Sequence, residues 1–345
     1  VEQLNCATRW REHNASQSID AELGVDEQGS PFILNLHEKS HGPHGLIAGM
    51  TGSGKSELIM TLILSLAVNY HPYDVAFILI DFKGGGMAKA FDKLPHTVGI
   101  ITNLDGNEIK RSLASINSEL RKRQTIFASA ASIAGESNID IYKYQQLYRS
   151  GVVAEPLPHL FIISDEFAEL KSQHPDFMAE LISAARIGRS LGVHLVLATQ
   201  KPSGVVDDQI WSNSKFRICL KVQDRTDSQD VIKRPDAAEL NTIGRFYLQV
   251  GYNELFETGQ SAWSGAPYIP SDVIKKKNDE NLIVVNKLGH QIMSVAPEKG
   301  MELNKVCGKQ IDATVKYLAT LANAEGISLH TMWKSPLPES IEVES

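Results

Sequence analysis

The sequence predicts an α/β fold: a mostly parallel central sheet with helices on both faces. Three observations predict it. Val75-Ala-Phe-Ile-Leu-Ile80, Leu160-Phe-Ile-Ile163, Val193-His-Leu-Val-Leu-Ala198 and Phe216-Arg-Ile-Cys-Leu220 are unbroken apolar runs of strand length. Such runs belong to strands covered on both faces, as in parallel sheets. Segments with helical periodicity separate them, and strands alternating with helices argue for crossover connections. A glycine-rich phosphate loop joins a short strand to a helix near the start of the series.

Taken in order, residues 1–30 are mostly polar, with Leu4 and Trp10 as isolated apolar anchors, and read as a leader segment. Phe32-Ile-Leu-Asn-Leu36 and Gly45-Leu-Ile-Ala48 have strand character, and Lys55 to about Tyr70 reads as a largely buried helix. A long helix is expected from about Gly106 to Phe127, another from Asp176 to Ile187, and a late edge strand at Arg245-Phe-Tyr-Leu-Gln-Val250. Beyond about Pro270 the composition shifts. Lys275-Lys-Lys reads as a solvated linker, Leu282-Ile-Val-Val285 as a strand, and Leu303 to Asn323 as one amphipathic helix. The main domain is therefore placed at 31–270, between the leader and a C-terminal appendage at 271–345.

Composition narrows the classes. With 345 residues, 42% hydrophobic and 22% charged, the chain is an ordinary globular protein of about two units, neither disordered nor collagenous. Lys+Arg 34 against Asp+Glu 41 leaves a net charge of −7, so no global basic field draws it to nucleic acid. Cys6, Cys219 and Cys307 are far apart and form no C-x-x-C pair; they read as reduced thiols. No apolar run approaches the roughly 18 residues that span a bilayer. The chain opens on Val1, which suggests a piece of a longer protein.

The chemistry centres on Gly49, Met50, Thr51, Gly52, Ser53, Gly54, Lys55 and Ser56, which match G-x-x-x-x-G-K-[ST]. Glycines let the backbone curl so that successive N–H groups converge on phosphate oxygens, and the helix start adds its positive dipole end. Lys55 is expected to reach the outer phosphates, Ser56 to take one Mg2+ position, and Glu57 to complete the nucleotide-binding run. Asp165 and Glu166 follow a buried strand, where ligands sit in open α/β sheets. Asp165 suits the Mg2+ side, directly or through water, and Glu166 suits polarisation of an attacking water. Thr199 and Gln200 end the next buried strand and are candidates to sense a terminal phosphate. Asp81-Phe-Lys-Gly-Gly-Gly86 opens at the same edge and suits a switch, or is simply a flexible turn. Arg186, Arg189, Arg217, Arg225 and Arg245 are candidate arginine fingers. His37, His41 and His44 fall close together, but their spacing fits no standard metal site.

The chain from about Asn35 to Gly265 resembles the FtsK/SpoIIIE group of P-loop ATPases, most closely the coupling ATPases of type VII secretion systems (EssC/EccC/YukB). The resemblance rests on Asn35-Leu-His-Glu-Lys-Ser-His-Gly-Pro-His-Gly45, Ile80-Asp-Phe-Lys-Gly-Gly-Gly86, Ile163-Ser-Asp-Glu-Phe-Ala-Glu-Leu170, Ala185-Arg-Ile-Gly-Arg-Ser-Leu-Gly192, Ala198-Thr-Gln-Lys-Pro202 and Gln209-Ile-Trp-Ser-Asn-Ser214. It is most like the first of the family's tandem modules. It implies a RecA-like core, ATP and Mg2+ as cofactors, and hexameric assembly. It also implies further ATPase modules in the same chain, type VII membrane components as partners, WXG100-type proteins as cargo, and a cytoplasmic domain anchored at the plasma membrane. Trp333-Lys-Ser-Pro-Leu-Pro338 resembles an inter-module linker that docks in a groove, or is a loose terminus. DNA-translocating relatives carry an arginine where this chain has Gln229, after Asp227-Ser228, which puts a trans arginine finger there in doubt. A DNA translocase and a nucleotide-holding regulatory scaffold stand as the alternative readings.

Overall fold

A computed structural model describes residues 1–81, 86–102, 106–252, 254–270, 282–287, 291–295, 307–327, 329 and 332. Its strands are β1 (Asp20–Val25), β2 (Pro31–Asn35), β3 (Gly45–Ala48), β4 (Val75–Asp81), β5 (Thr97–Ile101), β6 (His159–Asp165), β7 (Val193–Thr199), β8 (Phe216–Leu220), β9 (Arg245–Val250) and β10 (Leu255–Ser261). They form one ten-stranded sheet in the order β2-β1-β10-β9-β8-β3-β7-β6-β4-β5. The run from β8 to β5 is parallel throughout. From β8 outward through β9, β10, β1 and β2 every pairing is antiparallel. A separate antiparallel pair, β11 (Leu282–Val285) and β12 (Gln291–Val295), stands apart from this sheet.

The parallel half follows from the apolar runs. Every residue of β3, β4, β7 and β8 is buried, so both faces are covered. The covering helices include α1 (Cys6–Glu12), α2 (Lys55–Asn69), α3 (Gly86–Phe91), α4 (Gly106–Ala134), α5 (Ile141–Arg149), α6 (Phe167–Gln173) and α7 (Pro175–Gly188). Three more, α8 (Asp208–Asn213), α9 (Arg225–Ile232) and α10 (Gln310–Ala324), follow β7, β8 and β12. None of the described helices is long and apolar enough to cross a membrane.

Three expectations need correction. First, residues 1–30 do not stand apart as a leader. Cys6 and Trp10 are buried, the Trp10 indole N–H donates to the carbonyl of Ala67 at 2.9 Å, and β1 lies inside the sheet. The Tyr70 hydroxyl accepts from the Asp20 amide at 2.7 Å and donates to the Ser18 carbonyl at 3.0 Å. The strand is disguised because only one face is fully buried: Ala21 and Leu23 are inside, whereas Glu22 is exposed. Gly24 is required there, since a Cβ would fall 1.9 Å from the carbonyl oxygen of Gln260.

Second, β9 is not an edge strand; it is paired on both sides, by β8 and β10. Its partner Leu255-Phe-Glu-Thr-Gly-Gln-Ser261 is polar enough to pass for a loop. Third, α10 is not a detached appendage. Ile311, Val315, Leu318 and Ala322 form a buried stripe at helical spacing, and the helix packs against α2 and α3. It starts at Gln310 rather than Leu303; residues 301–306, the Lys275 linker and the Trp333–Pro338 tail lie outside the described residues.

Several histidines are buried in this body. His194 Nδ1 lies 3.1 Å from the carbonyl oxygen of Pro43 and must carry a proton to donate to it. Its Nε2 then accepts from His159 Nδ1 at 2.9 Å. His44 Nδ1 accepts from the Leu195 amide at 3.0 Å. These bonds are all made by neutral imidazoles, while among the described residues Nε2 of His44 and of His159 is buried without a partner. Burial lowers His44 to about 4 and His194 to about 3, and holds His159 well below its ordinary value of 6.5. His71 and His96 are lowered by burial to about 4 and about 3. Unfolded, these rings take up protons near pH 6.5, while folded they resist until much lower pH. Their stabilisation is thus complete above about pH 6.5 and lost as pH falls toward 4, at up to about 1.4 kcal/mol per pH unit each. Asp74, raised to about 6 by burial despite the Arg149 guanidinium beside it, acts in the opposite sense but is a single group. The denaturation midpoint is expected to drop between pH 7 and pH 5 at constant slope; equal midpoints would show that these rings titrate normally.

Candidate functional site

The sheet order sets the site. Ala48 is paired with Thr199, Ala198 with Asp165, and Asp165 with Asp81, so the carboxyl ends of β3, β7, β6 and β4 form one row. The phosphate loop leaves β3 at this row and enters α2.

The loop is shaped by backbone contacts on both sides. The Gly49 amide donates to the Thr199 carbonyl at 3.2 Å, the Met50 amide to Lys221 at 2.8 Å, and the Ser53 amide to Met50 at 3.0 Å. Gly54, at φ 97°, begins the turn into α2; a Cβ there would meet the Gly244 amide at 2.9 Å. Among the described residues, the amides of Gly52, Gly54, Lys55 and Ser56 have no protein acceptor. The Ser53 hydroxyl is buried without a partner. A cradle with unpaired donors suits an oligophosphate, the ligand that the motif implies.

Behind the loop, Lys55 is 4% exposed and its ammonium is ion-paired with Asp165. Glu166 is 4% exposed and sits at φ 62°, a left-handed conformation that a glutamate rarely adopts. This backbone turn starts α6, while the carboxylate reaches the end of β7. There Glu166 Oε1 accepts from the Thr199 hydroxyl at 2.9 Å, and both oxygens lie 3.2 Å from the Gln200 amide. The Thr51 hydroxyl donates to Gln200 Oε1 at 2.7 Å, which ties the loop to the same strand end. The structure therefore brings together the loop, Lys55, Asp165, Glu166 and Gln200. Ser56 is exposed at the start of α2.

Other candidates take different places. Thr199 is fully buried and its hydroxyl donates to Glu166. The Glu57 carboxylate accepts from the Ser264 hydroxyl at 3.0 Å and the Gly265 amide at 3.2 Å; it braces the loop helix against the segment that follows β10. The Asp81 carboxylate accepts from the Met87 and Ala88 amides at 3.1 and 3.2 Å and so caps α3, while residues 82–85 lie outside the described residues. Arg217 is buried, lies 3.7 Å over the Trp211 ring, and donates to the Gly251 carbonyl at 2.7 Å. Burial lowers its pKa to about 10, and a guanidinium so enclosed does not reach a neighbouring site. Arg189 and Arg225 are paired with Glu38 and Glu239. His37 stacks on Tyr142, and His41 Nδ1 accepts from the Asn35 amide. Among the described residues, no group of three or more His, Cys, Asp or Glu side chains is placed to hold a metal. Sequence reasoning missed the turn at Ile243-Gly244 and the Ser264–Gly265 brace; no motif marks either, and only the sheet order brings them to the loop.

Comparison with known proteins agrees with this arrangement. The chain matches the profile of the FtsK/SpoIIIE family over residues 4–204. It is 52% identical over 350 residues to the type VII secretion system protein EssC of Staphylococcus aureus (strain Mu50 / ATCC 700699), covering 100% of this chain and 23% of that protein. It is 49% identical over 345 residues to the ESX secretion system protein YukB of Bacillus subtilis (strain 168), covering 99% and 22%. The chain thus spans less than a quarter of the length of these relatives. Among solved structures, the cytoplasmic domain of the Thermomonospora curvata type VII secretion ATPase EccC superposes with a TM-score of 0.77 at 30% identity, over 96% of this chain and 34% of that one. EssC (ATPases 2 and 3) from Geobacillus thermodenitrificans shares the fold, with a TM-score of 0.66 at 19% identity over 92% and 52%. The family profile covers more than half of the chain and includes both the phosphate loop and the carboxylates behind it: this chain belongs to the FtsK/SpoIIIE family of P-loop ATPases.

Proposed function

We propose that the chain is an ATP-binding and ATP-hydrolysing motor module that powers export of WXG100-type proteins through a type VII secretion system. The observation that carries this reading is Glu166, buried behind the loop and aimed by Thr199 and the Gln200 amide, beside the Lys55–Asp165 pair. A module that only stored nucleotide would not need an oriented carboxylate there.

In this reading the loop from Gly49 to Ser56 holds the phosphates. Lys55 exchanges its Asp165 partner for a phosphate oxygen. The Ser56 hydroxyl and the freed Asp165 carboxylate are the groups that would hold Mg2+, directly or through water. The metal, when bound, neutralises charge on the outer phosphates. Glu166 accepts a proton from the attacking water, and Gln200 links that chemistry to the loop through Thr51. Glu57 acts one step removed, through the brace it makes with Ser264 and Gly265.

Supporting the secretion role are EssC and YukB, named for type VII and ESX secretion systems and about half identical to this chain. The reading places the module in a hexamer, on the cytoplasmic side of a membrane-anchored protein, with other ATPase modules in the same chain. Type VII membrane components are its neighbours, and the net charge of −7 speaks against nucleic acid as cargo. ATP turnover measured against protein concentration tests the motor. Specific activity is expected to rise as the chain self-associates, because ring ATPases complete their sites with a neighbour. Saturable Mg-ATP binding with no turnover at any concentration would instead support a scaffold.

A further inference from the structure

The phosphate loop has two flanks. Toward β7 and β6 stand Gln200, Asp165 and Glu166, the groups suited to a terminal phosphate. A nucleoside triphosphate bound in that sense must direct its nucleoside to the other flank, toward β8, β9 and β10.

Two large apolar side chains stand on that flank, open to solvent. Ile243, 72% exposed, lies in the turn before β9, and its Cγ2 is 3.5 Å from where a Cβ on Gly54 would be. The turn is rigid: the Gly244 amide donates to the Ser53 carbonyl at 2.8 Å, and Gln260 Nε2 donates to the Ile243 carbonyl at 2.9 Å. Trp263, 61% exposed, follows β10. A Cβ on Gly265 would lie 2.8 Å from Trp263 Nε1 and 3.2 Å from Glu57 Oε1, so the indole and the Glu57 carboxylate are close neighbours just past Ser56. Its segment is held as well, with the Ala262 amide donating to Leu23 at 2.9 Å and Gly265 bound to Glu57. Single exposed apolar residues are common on protein surfaces. Two on held backbone, one near Gly54 and the other near Glu57, are a different matter, because only their side chains remain to be ordered when a flat ligand arrives.

We propose that Trp263 and Ile243 form the base subsite of the phosphate loop, with the indole stacking on a purine ring and Ile243 packing against the nucleoside. The inference rests on the nucleotide reading above and adds to it where the base lies. Stacking uses the π-face that all bases share, so the subsite accepts adenine and guanine alike.

Calorimetric titration of the whole chain with Mg-ATP, Mg-GTP and Mg-tripolyphosphate tests it, in the wild type, Trp263→Ala and Trp263→Phe. Loss of one base–aromatic stack predicts that Trp263→Ala weakens both nucleotides by about 5- to 150-fold. Tripolyphosphate, which has no base, should bind both proteins equally, and Trp263→Phe should restore most of the loss. Unchanged ATP affinity in Trp263→Ala overturns the subsite, as does an equal loss for tripolyphosphate, which would mean that the loop itself had been disturbed. A wild-type protein that binds none of the three overturns the nucleotide reading itself, an outcome distinct from either of these.

Discussion

Lys55→Ala is expected to abolish useful nucleotide binding. The ammonium is the one full positive charge that the motif sends to the outer phosphates, and a charged hydrogen bond of this kind is worth about 1.5–3 kcal/mol, or roughly a 10- to 150-fold loss of affinity. The structure adds a second consequence. Lys55 is buried against Asp165, which is itself only 17% exposed, so truncation strands a carboxylate that has lost its partner. That alone should lower stability by about 1–3 kcal/mol. Lys55→Ala combined with Asp165→Asn separates the two effects, since the amide needs no counter-charge. The double variant should regain most of the lost melting temperature and still fail to bind Mg-ATP. Recovery of binding along with stability would mean that Lys55 acts only through the fold.

Glu166→Gln should leave Mg-ATP affinity within about twofold of wild type while turnover falls by roughly 10²- to 10⁴-fold, the range for removing a general base. One amide oxygen can keep both the Thr199 hydroxyl and the Gln200 N–H as donors, because each already points at Glu166 Oε1. The Gln200 N–H also lies 3.2 Å from Oε2, where the new amide NH2 would stand, so the side chain must turn slightly toward the Oε1 contact. Size and shape are kept and basicity is lost. Phosphate release at saturating ATP, alongside calorimetric affinity, reads the two quantities separately. Wild-type turnover in Glu166→Gln would falsify its role in the chemistry; an equal loss of affinity would make it a binding group.

Wherever burial is complete, the local string was enough to read the fold. The runs at Val75, Leu160, Val193 and Phe216 are buried on every residue or nearly so, and their periodicity carries the assignment without help. Half-buried elements were harder. β1 and β10 mix polar and apolar residues, which loops do as well, and β9 reads as an edge strand because its outer partner β10 carries no strand signature.

The same division holds for the site. By itself the amino-acid string determined the phosphate loop, whose glycines and lysine are contiguous, and the carboxylate pair, since a strand buried to its end must present its next residues at the sheet edge. Tertiary structure alone decided that Glu166 turns back to Thr199, that Gln200 meets Thr51 across the loop, and that Glu57 serves as a brace. It also decided that Ile243 and Trp263 flank the cradle. These partners are far apart in the chain, and their meeting depends on which strand lies beside which. Local propensity carries no record of strand order; that follows only when the whole sheet has found the arrangement that buries every apolar face.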